Sequence, residues 1–131
     1  MQPTFLQKCL VFVLILVVGI VGLFSAQPMA RASDRTPQQS LSIIDSHLFG
    51  RSRTPSRYTA PLNTLSDRCS TTPEHIADMS AVLTKKILDN GRNFDNLSFL
   101  KQALDATADG LYGMSCEEIF VLLENMIEQG T

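Results

Sequence analysis

The residues of this chain best suited to chemistry are two cysteines and two histidines. Cys69, Cys116, His47 and His75 are of the types that form a disulfide or bind a zinc ion. Cys116 has a third use, because Ser115-Cys116-Glu117-Glu118 is a capping box in front of an apolar run. A thiol at a helix N-terminus has a lowered pKa and can act as a nucleophile. The elements around these residues favour one of the three chemistries.

The first 32 residues have the order of a secretory signal peptide. Lys8 precedes an uncharged apolar run over residues 9–24, and Ala30-Arg31-Ala32 then provides an A-x-A cleavage site. Cleavage after Ala32 would export the rest of the chain to a periplasm, a lumen or the extracellular space. The alternative is an uncleaved membrane anchor. As a helix the apolar run rises roughly 24 Å, short of the ~30 Å hydrocarbon core, which favours cleavage.

The composition of residues 33–71 is typical of a flexible arm. The segment is rich in Ser, Thr, Pro and Arg, and Pro55 and Pro61 fall in a stretch without a clear period. One part differs, because apolar residues at helical spacing followed by Gly50 predict a short helix over 38–49. We expect the arginine-rich stretch after Gly50 to be mobile and to order, if at all, on an acidic partner.

Residues 72–131 are predicted to form a helical domain. Thr72 and Pro73 are an N-cap and a first helical residue, and Ser115 is the N-cap of the last helix. The three predicted helices run from Pro73 to Asn90, from Asp95 or Asn96 to Asp109, and from Ser115 to Gly130. No strand pattern is present in the sequence. The predicted fold class is therefore all-α, a small antiparallel three-helix array over residues 72–130.

This topology favours a disulfide between Cys69 and Cys116. If the helices run up, down and up, the first and third begin at the same end of the array, where these two cysteines lie. An exported chain with two remaining cysteines is expected to pair them. The chain-entropy model gives a bridge of this loop length roughly 4 kcal/mol. Two unpaired structural cysteines are the main alternative. A reactive Cys116 and a zinc site are weaker ones, because the chain has no C-x-x-C motif and its Cys and His spacings match no zinc pattern.

The segment before the third helix resembles the first half of an EF-hand calcium loop. Asp105-Ala-Thr107-Ala-Asp109-Gly110 matches that motif at positions 1, 5 and 6 and has Thr107 at position 3. The resemblance implies Asp105, Thr107 and Asp109 as calcium ligands within a loop over 105–118. Position 12, a bidentate Glu in the motif, is Cys116 here. The alternative is a helix-ending Asp-Gly turn followed by a capped helix, and we favour it.

Charge and missing motifs narrow the function. The chain has net charge −2, and residues 69–131 hold four basic residues against ten acidic ones, so nucleic-acid binding is not expected. The sequence has no phosphate loop, no G-x-S-x-G and no H-E-x-x-H. We predict an exported, non-enzymatic helical domain without a cofactor that binds another protein as an accessory or adaptor. The alternatives are a calcium-responsive module and a membrane-anchored small subunit.

Overall fold

Local capping and apolar periodicity define five helices in the described part of the chain. The computed structural model describes residues 34–130, so the predicted signal peptide over residues 1–32 lies outside them. The helices are α1 (Pro37–Phe49), α2 (Ser56–Arg68), α3 (Pro73–Asp89), α4 (Asn96–Thr107) and α5 (Cys116–Glu128). No strand occurs between residues 34 and 130. The all-α prediction is confirmed, and the array has two helices more than the predicted three.

The predicted flexible arm instead contributes α1 and α2 to the core. The short helix predicted over 38–49 is present, one residue longer, and begins with a capping box between Thr36 and Gln39. α2 was not predicted, although the apolar side chains of its inner face are completely buried. One compact unit begins at Arg35 and includes α1 and α2 together with the helices after residue 72. Within the arginine-rich stretch, residues 56–68 form α2, and Arg53 bonds to Asp95 across 2.9 Å.

Pro61 is the reason why α2 was not predicted from the sequence. Tyr58, Pro61, Leu62 and Leu65 are spaced as the buried face of a helix, and all four are buried. Pro61 is nevertheless inside the helix, where a proline removes a backbone hydrogen bond and clashes with the preceding turn, a cost of about 3 kcal/mol. Burial of this face against the other helices outweighs that local cost.

The helices pack as two parallel pairs. In the first pair, His75 Nε2 of α3 lies 3.3 Å from Glu117 Oε1 of α5, and Asn90 just after α3 bonds to Glu128 at the end of α5. Both helices therefore begin at the same end of the molecule. In the second pair, Arg68 at the end of α2 donates to the carbonyl oxygen of Leu104 near the end of α4, at 2.8 Å.

The core lies between these pairs and α1. Phe99 of α4 and Phe120 of α5 meet edge to face, with ring centroids 5.6 Å apart, a favourable aromatic geometry. The largest fully buried apolar side chains are Tyr58, Phe99, Phe120, Leu41, Leu62, Leu65, Ile76, Ile87, Leu97 and Leu100. α5 differs from prediction, because Leu122 and Met126 of its expected apolar stripe are about half exposed. Phe120 and Ile127 are buried on α5 instead.

Candidate functional site

The predicted cysteine pair lies at the end of the molecule where α3 and α5 begin. Cys69 is the C-cap of α2 and Cys116 is the first residue of α5, and the structure joins them in a disulfide with Cα atoms 5.7 Å apart. That distance is within the usual 4.4–6.8 Å for a disulfide. Ser115 holds the start of α5 through the predicted capping box with Glu118. A covalent bond and a helix cap therefore fix the same turn.

The alternative uses of these cysteines do not fit this arrangement. Both sulfur atoms are in the bridge, so Cys116 has no thiol in this state. His75 is bonded to Glu117, and His47 is exposed on α1. Within residues 34–130, no group of three His, Cys, Asp or Glu side chains is placed to hold a metal ion.

The residues that resemble a calcium loop have different roles in the structure. Asp105 and Thr107 lie in the last turns of α4, and only Asp109 lies in the connection after it. Thr107 is buried, and its hydroxyl accepts a hydrogen bond from Arg68 Nη1 at 3.1 Å. The hydroxyl that the resemblance implies as a calcium ligand is therefore bonded to a guanidinium cation instead. The geometry agrees with the alternative of a helix end followed by a capped helix.

A buried carboxylate on α1, which the sequence analysis did not identify, organises the opposite part of the fold. Asp45 is completely buried. Its Oδ1 accepts from the backbone amide and the side-chain amide of Asn96, at 2.9 and 2.8 Å. Its Oδ2 accepts from the hydroxyl of Tyr58 at 2.7 Å and from the amide of Leu97 at 3.2 Å. One side chain thus ties α1 to the first turns of α2 and α4.

Further polar groups extend this cluster, which we call the Asp45 network. Arg53 Nη1 lies 2.9 Å from Asp95 Oδ2 and 3.6 Å from Asp45 Oδ2. Burial favours a higher pKa for Asp95, but hydrogen bonds from Ser98 and Arg53 outweigh it and hold the pKa below its usual value. Burial, together with the bond to Asp45, raises the pKa of Tyr58. The network therefore keeps Asp95 ionised and the phenol of Tyr58 protonated.

An apolar groove runs along the surface between α3 and α5. It has a volume of about 310 Å³ and is lined by His75, Asp78, Met79, Val82, Leu83, Glu117, Phe120 and Val121. Val82 is 68% exposed and Val121 is 47% exposed, one on each helix. The charged side chains Asp78 and Glu117 are exposed at its rim. Hydrogen bonds from its own backbone amide and from His75 lower the pKa of Glu117.

A second buried carboxylate lies in the contact between α3 and α5, near their C-terminal ends. Glu124 is completely buried, and its Oε1 accepts no hydrogen bond within the described residues. Lys86 Nζ is 3.3 Å from that oxygen, on a side chain that is 57% exposed. Burial and then the neighbouring Glu128 raise the pKa of Glu124. Bonds from Glu124 and Asn90 lower the pKa of Glu128, so a proton held by this pair resides on Glu124.

Comparisons with protein-family models, with curated proteins and with solved structures found no match. The function therefore has to be argued from this molecule's own surface. None of the helices between residues 34 and 130 has the length and apolar character needed to span a membrane.

The disulfide was predicted from the sequence, whereas the groove was not. The signal for the groove was the surplus of apolar residues in α5, where Val121 and Leu122 extend the apolar stripe beyond one helix face. Asp45 had a weaker signal, as the one acidic residue among the apolar positions of a short predicted helix. Neither signal identifies the residues on other helices that contact Val121 or Asp45, because those residues are far away in the sequence.

Proposed function

We propose that this protein is an exported, non-enzymatic helical domain that binds a partner protein through the groove between α3 and α5. The observation that carries the proposal is the groove itself, which exposes the apolar side chains of Val82 and Val121 above the buried ring of Phe120. Exposed apolar surface with a polar rim marks protein interaction sites.

The export part of the proposal is supported by two independent features. A disulfide is compatible with an oxidising compartment, because reducing systems keep cytosolic thiols free. The order of Lys8, an apolar run and Ala30-Arg31-Ala32 supports cleavage by a signal peptidase. An uncleaved anchor is the second candidate, favoured by the same apolar run. N-terminal sequencing with intact mass of the native protein distinguishes them, because the mature chain would begin at Ser33 and lack two thiol protons.

The non-enzymatic part is supported by the state of the buried acids. Both oxygens of Asp45 are filled by donors from its own fold, and Asp95 both caps α4 and pairs with Arg53. These acids hold the structure together and present no base to a cavity. A calcium-responsive function is disfavoured by the contact between Thr107 and Arg68.

Site-specific photocrosslinking in the native compartment tests the protein-binding proposal. A photoreactive residue replaces Val121 in the groove, and a matched one replaces Leu122, which has nearly the same exposure, 50% against 47%. We expect a discrete crosslink to one protein from position 121 and none from position 122. The crosslinked protein is then purified and its binding measured with Val121→Glu and Leu122→Glu variants. Equal binding to both variants, or equal crosslinking from both positions, contradicts the proposal.

A further inference from the structure

The groove has the geometry of a seat for a third helix. α3 and α5 run in the same direction, and Val82 and Val121 lie on opposite sides of the groove. Its lining also includes the buried ring of Phe120 and the half-buried side chains of Met79 and Leu83. Side chains of one helix pack into the grooves of another, and amphipathic helices bind grooves of this kind through residues at i, i+3, i+4 and i+7.

The charge around the groove determines which residues are favoured beside the apolar stripe of the bound helix. On the α5 side Glu117 is exposed at the rim, and this helix contains no Lys or Arg. On the α3 side Asp78 is exposed at the rim, and the two lysines of α3 are already paired, Lys85 with Asp89 and Lys86 with Glu124. His75, the remaining basic group of the lining, is bonded to Glu117. The rim therefore has an excess of negative charge, which attracts a cationic partner and repels an anionic one.

The same pattern disfavours two other occupants. Small-molecule sites combine apolar walls with a few polar groups that converge on the ligand. Here the polar groups, His75, Asp78 and Glu117, are exposed at the rim, while the rest of the lining is apolar. An anionic membrane surface attracts basic segments, whereas this face is acidic.

We infer that the partner presents an amphipathic helix, with an apolar stripe that enters the groove and Lys or Arg residues on its flanks that face Asp78 and Glu117. This inference rests on the proposed function and specifies the chemistry of the partner segment. It explains why apolar side chains remain exposed on two adjoining helices that carry an acidic rim.

The probe is a synthetic helical peptide with Leu at i, i+3, i+4 and i+7 and Lys on both flanks, titrated by calorimetry into the natively processed protein. Two matched peptides replace Lys by Glu or scramble the Leu positions. We expect binding of the Lys peptide, at least tenfold weaker binding of the Glu peptide, and none of the scrambled peptide. Affinity for the Lys peptide falls as salt rises, because the rim charges are exposed and screened.

Two variants separate the apolar and charged parts of the site. Val121→Glu should weaken the Lys peptide about tenfold or more through loss of apolar burial, whereas Leu122→Glu on the same helix leaves its affinity unchanged. The Asp78→Asn, Glu117→Gln double variant should lose about fivefold in affinity and most of the salt dependence. Asp109→Asn, an exposed acid outside the groove, is its control. Circular dichroism verifies that each variant is folded.

Each other outcome overturns the inference in a recognisable way. If the Lys and Glu peptides bind equally well and Val121→Glu abolishes both, the inferred charge preference is wrong. The proposed binding of a protein at the groove is then still supported. If the protein binds anionic vesicles and Val121→Glu abolishes that binding, the occupant of the groove is a membrane surface and not a helix. Peptides that fail to bind while Val121→Glu dissociates a dimer identify a second copy as the occupant. No peptide binding in a monomer that also gives no crosslink from position 121 refutes the inference and the proposed function together.

Discussion

The Asp45 network and the contact between α3 and α5 each bury a carboxylate, but they satisfy it very differently. Asp45 accepts four hydrogen bonds from the first turns of two helices, α2 and α4. Glu124 is equally buried, yet one of its oxygens accepts none within the described residues and its cation is largely exposed. A buried charge stabilises a fold only when its hydrogen bonds are complete. The Asp45 network is therefore the better satisfied of the two, and the contact between α3 and α5 depends more on apolar packing.

The largest expected effect is at the centre of the network. Asp45→Ala leaves the amides of Asn96 and Leu97 and the hydroxyl of Tyr58 buried without an acceptor. We expect a loss of about 5 kcal/mol in the free energy of unfolding, measured by urea denaturation. Ser46→Ala, at an exposed neighbour on the same helix, is the control and should change it by less than about 0.5 kcal/mol. A loss below about 1 kcal/mol for Asp45→Ala would show that the network does not organise the fold.

The disulfide should give the next largest effect. Cys69→Ser and Cys116→Ser each remove the bridge at the start of α5, and each should cost about 3 kcal/mol in unfolding free energy. The double variant should cost little more than either single variant, because all three lose one bond. A thiol assay on the unreduced native protein accompanies the measurement. Two reactive thiols per mature molecule would falsify the disulfide.

The two regions should contribute to the pH dependence of the unfolding free energy with opposite signs. In the Asp45 network the titrating group is Asp95. Its pKa is lower in the folded state than its ordinary value of 3.8, so its stabilising contribution is present above that value. That contribution is lost as the pH falls through the lower, folded-state pKa. Asp95→Asn keeps a capping residue but loses the charge facing Arg53, and should cost about 2 kcal/mol at pH 7. The difference from the parent protein should shrink toward pH 3, and a constant difference across this range contradicts the assignment.

Glu124→Gln should give the smallest effect and the opposite sign. The pKa of Glu124 is higher in the folded state than its ordinary value of 4.5, so the parent protein loses stability as the pH rises through the folded value. Gln does not ionise and avoids that loss. At pH 7 the variant should be about 1 kcal/mol more stable, with the advantage vanishing near pH 4. A destabilised variant at pH 7 would mean that the carboxylate between α3 and α5 is as well satisfied as the one in the network.

The sequence alone determined the features that depend on neighbouring residues. Thr72 and Pro73 begin α3, Ser115 and Glu118 cap α5, and Gly50 ends α1 in a left-handed conformation with φ 65°, all as predicted. These are interactions within one helical turn, so a few letters specify them. The cysteine pairing was also predicted, because the expected cleavage after Ala32 would leave only Cys69 and Cys116, and the expected helix topology places both at one end.

Tertiary structure decided what depends on groups far apart in the chain. Pro61 argues against a helix locally, and α2 forms because its apolar face is covered by other helices. Asp45 became the centre of a network only because Asn96 and Leu97, some fifty residues later, place their amides beside it. Periodicity did not identify which apolar face of α5 is buried, since both faces carry apolar residues. Packing against α3 and α4 left Val121 exposed in the groove, because a helix buries whichever face its neighbours cover.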